Sequence, residues 1–286
     1  MEVQEYLEAR REFFNSRLPG YLPSPEDCPP VLLRAMEYSL FAGGKRLRPI
    51  LLFAAAEGCG GSREKALPLA AALEMVHTYS LIHDDLPAMD DDDFRRGRPS
   101  CHKVFGEGMA ILAGDALLTQ AFLVLAREAG EAGPRAGEEL ALAAGPVGMV
   151  AGQALDISGA GAGNPEALRR LHALKTGALI QAAVRLGAMS AGAGEETLAG
   201  LTEFARAYGL AYQIADDIRD VTKTRQELGK SPGSDVKKGK STYASLFGLE
   251  KARALALEEI SRGEKALVAL AGDFSLLAGL ARSLKI

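Results

Sequence analysis

Apolar residues recur at three- and four-residue spacing from one end of the chain to the other, in segments rich in Ala, Leu, Glu, Arg and Met, and alternating apolar and polar runs are nearly absent. The pattern predicts an all-α protein. Helices are expected over 30–41, 48–57, 63–87, 108–127, 136–145, 146–157, 165–189, 195–222 and 242–263, with a short one at the C-terminus. Asn164 followed by Pro165 supplies an N-cap and a proline at the first helical position, while Gly43, Gly44 and Gly58 close their helices. The runs AALEMV and AFLVLA are apolar almost all round, which suits helices in the middle of a large bundle. Two glycine-rich loops are expected at 158–164 and, more basic, at 228–241. No Pro- or Ser-rich linker divides the chain, so 1–286 reads as one domain without internal repeats.

Composition narrows the class. The chain has 286 residues, 48% of them apolar, enough to bury a large core. Lys and Arg number 33 against 37 Asp and Glu, a formal net charge of -4, so there is no global pull toward nucleic acid. Cys28, Cys59 and Cys101 lie far apart without a CxxC pair, which argues against a disulfide framework or thiolate zinc site and fits a reducing cytoplasm. The opening MEVQEYLEARREFF mixes acids and bases where a secretory signal needs an apolar run. The longest uncharged stretch, 140–155, is broken by Gly145-Pro146, so neither a signal peptide nor a membrane span is expected.

The strongest local signal is HDDLPAMDDDDFRRGRP at 83–99, where Asp84, Asp85 and Asp90 to Asp93 follow an apolar helix directly and three arginines come after. A charge run is ordinarily a solvated loop. Here Asp84 and Asp85 end a helix of the core, where unpaired carboxylates are expensive, and clustered short carboxylates are what a hard divalent cation binds. In YQIADDIRD at 212–220, Gln213, Asp216, Asp217 and Asp220 fall on one helical stripe, where like charges repel. A metal shared by the two clusters resolves both repulsions. Cations for phosphate oxygens stand in GGKRLRP (Lys45, Arg46, Arg48) and FRRGRP (Arg95, Arg96, Arg98).

These segments, with GDALLTQAF, the KTG at 175–177, LGK and GKSTY, occur in an order that resembles the trans-type isoprenyl diphosphate synthases, most closely the bacterial-type farnesyl diphosphate synthases. The resemblance implies the isoprenoid synthase fold, a single helical bundle around a central active-site cavity, and head-to-tail prenyl transfer that yields (2E,6E)-farnesyl diphosphate. It implies three Mg2+ ions, with Asp84, Asp90 and Asp216 as direct ligands and Asp85, Asp217 and Asp220 supporting them. Lys45, Arg48, His77 and Arg96 look like the isopentenyl diphosphate set. Arg95, Lys175, Lys230 and Lys240 look like partners of the allylic diphosphate. Lys175, Thr176 and Gln213 would serve the chemistry, Thr176 and Gln213 flanking the reacting carbons. Tyr79 and Ser80 look like the residues that set chain length. A homodimer is implied as well.

His77 has independent support, seven residues and two turns before Asp84 on the same helical face, although a lone histidine on an apolar helix is more often structural. Thr176 has an ordinary alternative too, a hydroxyl bonded to its own helix backbone. Two positions depart from the family pattern: Arg219 stands where an aliphatic residue is common, and Tyr212 where Phe is frequent. The resemblance also leaves a geranylgeranyl diphosphate synthase open. A terpene cyclase would not need GGKRLRP, and a noncatalytic partner subunit would be expected to lose one aspartate motif.

Overall fold

Alanine runs at 54–56, 70–72 and 182–183 leave little side-chain bulk between backbones, and the three helices that carry them converge at the centre of the molecule. The computed structural model describes residues 2–160, 163–222 and 241–284. In order these form α1 (Val3–Arg17), α2 (Pro30–Leu40), α3 (Leu47–Gly58) and α4 (Arg63–Asp84), then a hairpin of β1 (Phe94–Arg95) antiparallel to β2 (Arg98–Pro99). Next come α5 (Cys101–Phe105), α6 (Glu107–Glu128), α7 (Gly133–Ala144), α8 (Met149–Ile157) and α9 (Pro165–His172). A π-helical turn, Ala173–Gly177, leads into α10 (Ala178–Ser190) and α11 (Glu195–Thr222). After residue 240 follow α12 (Tyr243–Phe247), α13 (Leu249–Val268) and α14 (Ser275–Arg282).

Helix α4 packs against α3, α6 and α10, while α11 lies between α10 and α13. Pro49 to Ala56 of α3 and Ala66 to Val76 of α4 are buried without a break, as expected of helices apolar on every side. One ion pair lies inside this packing. Arg46 Nη1 and Glu74 Oε1 are 2.6 Å apart with both side chains 2% exposed. Arg46 also donates to Asn15 Oδ1 and to the Leu40 carbonyl, so each nitrogen of its buried guanidinium has a hydrogen-bond partner. These bonds fasten the turn between α2 and α3 to α1 and α4.

The structure differs from the expected helices in ways that have local causes. Helix α4 stops three residues before Pro87, which disfavours helical backbone at Leu86. The helix expected over 165–189 widens into the π-turn, and the one over 242–263 divides at Gly248, whose φ is 77°. Helix α1, mostly polar with only Tyr6 and Phe14 buried, was not expected. Among the described residues, Glu107–Glu128 and Gly130–Ile157 have the length and apolar content of a membrane span. The first packs Ala110, Ala113, Gly114 and Leu117 inward along α4, and a turn at 145–148 interrupts the second. Ile111, Leu112, Leu142 and Val147 remain exposed on their outer side.

Candidate active site

The first aspartate cluster occupies the C-terminal end of α4. Beyond the helix the chain folds back, the Asp90 amide donating to the Asp84 carbonyl (2.8 Å) and the Asp92 amide to that of Asp85 (3.2 Å), which sets Asp90 beside Asp84. Burial pushes the Asp84 carboxyl up to about 6, with Asp90 and Asp85 adding to the shift and Lys175 and Arg95 opposing it. Asp85 is buried and accepts from Arg95 Nε at 3.0 Å and from Arg95 Nη2. It therefore orients Arg95, which lines neither cavity described below.

Helix α11 carries the second cluster in its last two turns. Gln213 Nε2 donates to Asp217 Oδ1 (3.0 Å), and the Tyr243 amide donates to Asp217 Oδ2 (2.8 Å). Asp217 and Asp220 are buried, whereas the Asp216 side chain is 49% exposed. Both clusters thus lie at helix C-termini, the negative ends of the helix dipoles, where carboxylates are least favoured. An all-carboxylate donor set, one member raised by burial and like charges, fits Mg2+, which takes oxygen ligands.

The KTG segment is the π-turn itself. Its backbone is clasped by two glycines: a Cβ on Gly152 of α8 would lie 2.2 Å from the Lys175 nitrogen, and one on Gly209 of α11 would lie 3.3 Å from Gly177 Cα. Lys175 Nζ contacts Asp156 Oδ2 at 2.6 Å. Thr176 Oγ1 donates to Gln213 Oε1 at 3.1 Å instead of to its own backbone, which joins the π-turn to the second aspartate helix.

The basic segments meet around His77 of α4, two turns before Asp84. Arg48 Nη1 donates to His77 Nε2 at 3.3 Å. Burial first, then Arg48 and Arg96, hold His77 well below its ordinary pKa, so the imidazole is neutral and offers Nε2 as an acceptor. Arg48 Nε is buried without a hydrogen-bond partner. Arg96, at φ 53°, reaches across to donate through Nη1 to the Gly43 carbonyl.

Two cavities result. One of about 360 Å3 has Asp84, Lys175 and Thr176 on its polar side and Tyr79, Met89, Met149 and Ile157 among its apolar walls. The other, about 150 Å3, is lined by Lys45, Arg46, Arg48, Glu74, His77, Arg96 and Tyr212. Arg48 and His77 belong to both. Ser80 lines the larger cavity, while Asp90, Asp216, Asp220 and Gln213 line neither. Lys230 and Lys240 lie outside the described residues.

Sequence reasoning missed Gln153 and Asp156 of α8, which reach the larger cavity and Lys175, and Glu74, which lines the basic one. The signal was there: two polar residues three apart at the end of a long uncharged stretch, and one acid within an apolar helix. It also missed that Asp91, Asp93 and His102 bring three donor atoms within 4.8 Å of one another. Both acids of that group are exposed, and Lys103 Nζ contacts Asp93 Oδ1 at 2.7 Å.

The sequence model of the polyprenyl synthetase family matches residues 29–269. A farnesyl diphosphate synthase of Escherichia coli (strain K12) is 48% identical over 292 residues, covering 98% of this chain and 97% of the relative. The large subunit 1 of the heterodimeric chloroplastic geranylgeranyl pyrophosphate synthase of Arabidopsis thaliana is 47% identical, covering 91% of this chain and 72% of the relative. Among solved structures, an FPP/GFPP synthase from Zymomonas mobilis superposes with a TM-score of 0.85 at 36% identity, covering 99% of each chain.

Proposed function

The chain belongs to the polyprenyl synthetase family and has the isoprenoid synthase fold, and from that premise we propose that it is a Mg2+-dependent farnesyl diphosphate synthase. It condenses isopentenyl diphosphate with dimethylallyl and then geranyl diphosphate. The observation that carries this reading is the pair of adjoining cavities that share Arg48 and His77, one ringed by cations and the other apolar with Asp84 and Lys175 on its polar side. A reaction that binds two prenyl diphosphates and joins their carbon chains with release of one diphosphate needs such a pair.

Lys45, Arg48, His77 and Arg96 hold the diphosphate of isopentenyl diphosphate, the arginines as forks and the neutral His77 as a hydrogen-bonding partner. Lys175 and Arg95, with Lys230 and Lys240, hold the allylic diphosphate. Asp84, Asp90 and Asp216, supported by Asp85, Asp217 and Asp220, hold three Mg2+ ions, which when bound draw negative charge from the allylic diphosphate. The Asp85–Arg95 and Lys175–Asp156 contacts fix two of the cations that stabilise charge on the leaving group as the allylic carbon–oxygen bond ionises. The isopentenyl double bond attacks the resulting cation beside Thr176 and Gln213, whose mutual hydrogen bond keeps their oxygens in place. None of the residues named is placed as a base, and the released diphosphate takes the proton. Apolar walls keep out the water that would trap the cation.

The chain acts as a single polyprenyl synthase domain in the cytoplasm, without nucleic acid or a membrane span. Ile111, Leu112, Leu142 and Val147 are exposed apolar side chains that a homodimer contact would cover. Incubation with Mg2+, isopentenyl diphosphate and either allylic diphosphate, followed by chain-length chromatography, tests the function. A C15 product supports it. A C20 product makes the enzyme a geranylgeranyl diphosphate synthase, and cyclised or absent product overturns the reading.

A further inference from the structure

Tyr212 and Arg219 lie seven residues apart on α11, and Arg219 Cζ stands 5.8 Å from the centroid of the Tyr212 ring. The guanidinium is held on a second side by Nε, which donates to the Ala215 carbonyl at 2.9 Å. Its Nη2 is buried without a hydrogen-bond partner and lies 3.8 Å from Asp216 Oδ1. The Arg219 side chain is 15% exposed and that of Asp216 49%, so the cation is the more enclosed member of the pair and the carboxylate the more solvated one. At 3.8 Å they attract without sharing a hydrogen bond.

We propose that Arg219 is a built-in counterion that competes with a divalent cation for Asp216 and thereby makes metal loading of the second aspartate cluster depend on diphosphate. The proposal rests on the reading of Asp216 as a metal ligand. A guanidinium beside Asp216 offsets the repulsion among Asp216, Asp217 and Asp220, and the same charge repels a bare divalent ion. A diphosphate brings its own negative charge, which screens Arg219 and restores the attraction. Free metal is therefore disfavoured and metal accompanied by diphosphate is not. The Tyr212 ring and the Ala215 carbonyl serve as fixings that keep the guanidinium from swinging away to solvent.

Mn2+ binding to the purified full-length protein, followed by electron paramagnetic resonance with and without inorganic pyrophosphate, tests this without turnover. Arg219→Gln keeps much of the length and a donor for Ala215 but removes the charge. It is expected to bind Mn2+ without pyrophosphate at about tenfold lower concentration than wild type, the gap narrowing once pyrophosphate is added. Arg219→Lys keeps the charge and should stay near wild type. Equal Mn2+ affinity of wild type and Arg219→Gln overturns the proposal, as does Arg219→Lys behaving like Arg219→Gln. Asp216→Asn separates this from the underlying reading: if it binds Mn2+ as wild type does, Asp216 is not a ligand and both fall.

Discussion

The Arg48 guanidinium lies 3.3 Å from His77 Nε2, and these two side chains are shared by the basic and the apolar cavity, whereas Lys45 lines the basic one alone. A cation that touches only the nonreacting diphosphate contributes equally to ground and transition states. Lys45→Ala is therefore expected to raise the KM for isopentenyl diphosphate with little change in kcat. Arg48→Ala should raise that KM and lower kcat as well. Steady-state kinetics with each substrate varied in turn distinguishes the two patterns, and a Lys45 variant altered only in its allylic KM would show that the diphosphate sites are assigned in reverse.

Asp84 is expected to be required for turnover and to be unfavourable for the metal-free fold. Asp84→Ala or Asp216→Ala should lower kcat by about a hundredfold or more, roughly 2.7 kcal/mol of transition-state stabilisation. The folded pKa of Asp84, about 6, lies above the unfolded value of about 3.9. The folded state thus keeps a proton that the unfolded state loses between those values, and stability contributed by this group falls as pH rises from about 4 to 6. Asp84→Asn removes the penalty. Thermal melts in chelator should give it a Tm above wild type at pH 7 and no gain at pH 4, while a lower Tm at pH 7 would show that the charge is not strained.

Much of this site can be read in the chain because its chemistry is local. Asp84, Asp85 and Asp90 stand within one turn and a short loop, and Gln213 to Asp220 share one stripe of α11, so spacing alone brings them together. What escaped was set by packing across long separations. The π-turn leaves the apolar period of 165–189 intact and shows only where Gly152 and Gly209 approach its backbone. The buried Arg46–Glu74 pair joins residues 28 positions apart, and no local spacing shows either as the other's partner. Helix α1 escaped because its fold-specific contacts, Tyr6 and Arg10 to Glu57, are polar and lie 51 and 47 residues away.

The clasp on the π-turn yields a sharper test. A methyl on Gly152 would overlap the Lys175 backbone nitrogen at 2.2 Å, and backbone cannot swing aside as a side chain can. Gly152→Ala is expected to cost about 1 to 3 kcal/mol of stability. It should also lower kcat beyond any loss of folded protein, since Lys175 and Thr176 move with the turn. Gly137→Ala, in α7 with nothing within 4 Å of its Cβ, should stabilise by up to about 1 kcal/mol and leave kcat unchanged. Chemical denaturation and single-turnover rates on both variants separate the local clash from a general intolerance of alanine.

On the proposed function, product length is expected to turn on Tyr79. It lies five residues before Asp84, about 7.5 Å along the helix axis and about 140° round it, so helical phase alone would aim the two apart. The larger cavity nevertheless takes in both, because it wraps α4 widely enough to reach Tyr79, Ser80, His83 and Asp84 together. Tyr79 is 7% exposed, lines the larger cavity and has its ring set edge-on to that of His83 at 5.7 Å. With the allylic diphosphate at Asp84 as proposed, a chain growing along α4 is expected to meet that ring. Tyr79→Ala is expected to admit at least one further condensation, giving C20 or longer, and Tyr79→Phe to keep C15, since bulk and not the hydroxyl forms the stop. The loss of stability should fall below the 3 to 5 kcal/mol typical of a fully packed aromatic, because one face of the ring already borders a void. Chain-length chromatography of the three enzymes decides it: a folded Tyr79→Ala enzyme that still stops at C15 removes Tyr79 from the role and turns the search for the stop to other apolar residues of the cavity, such as Met149 and Ile157.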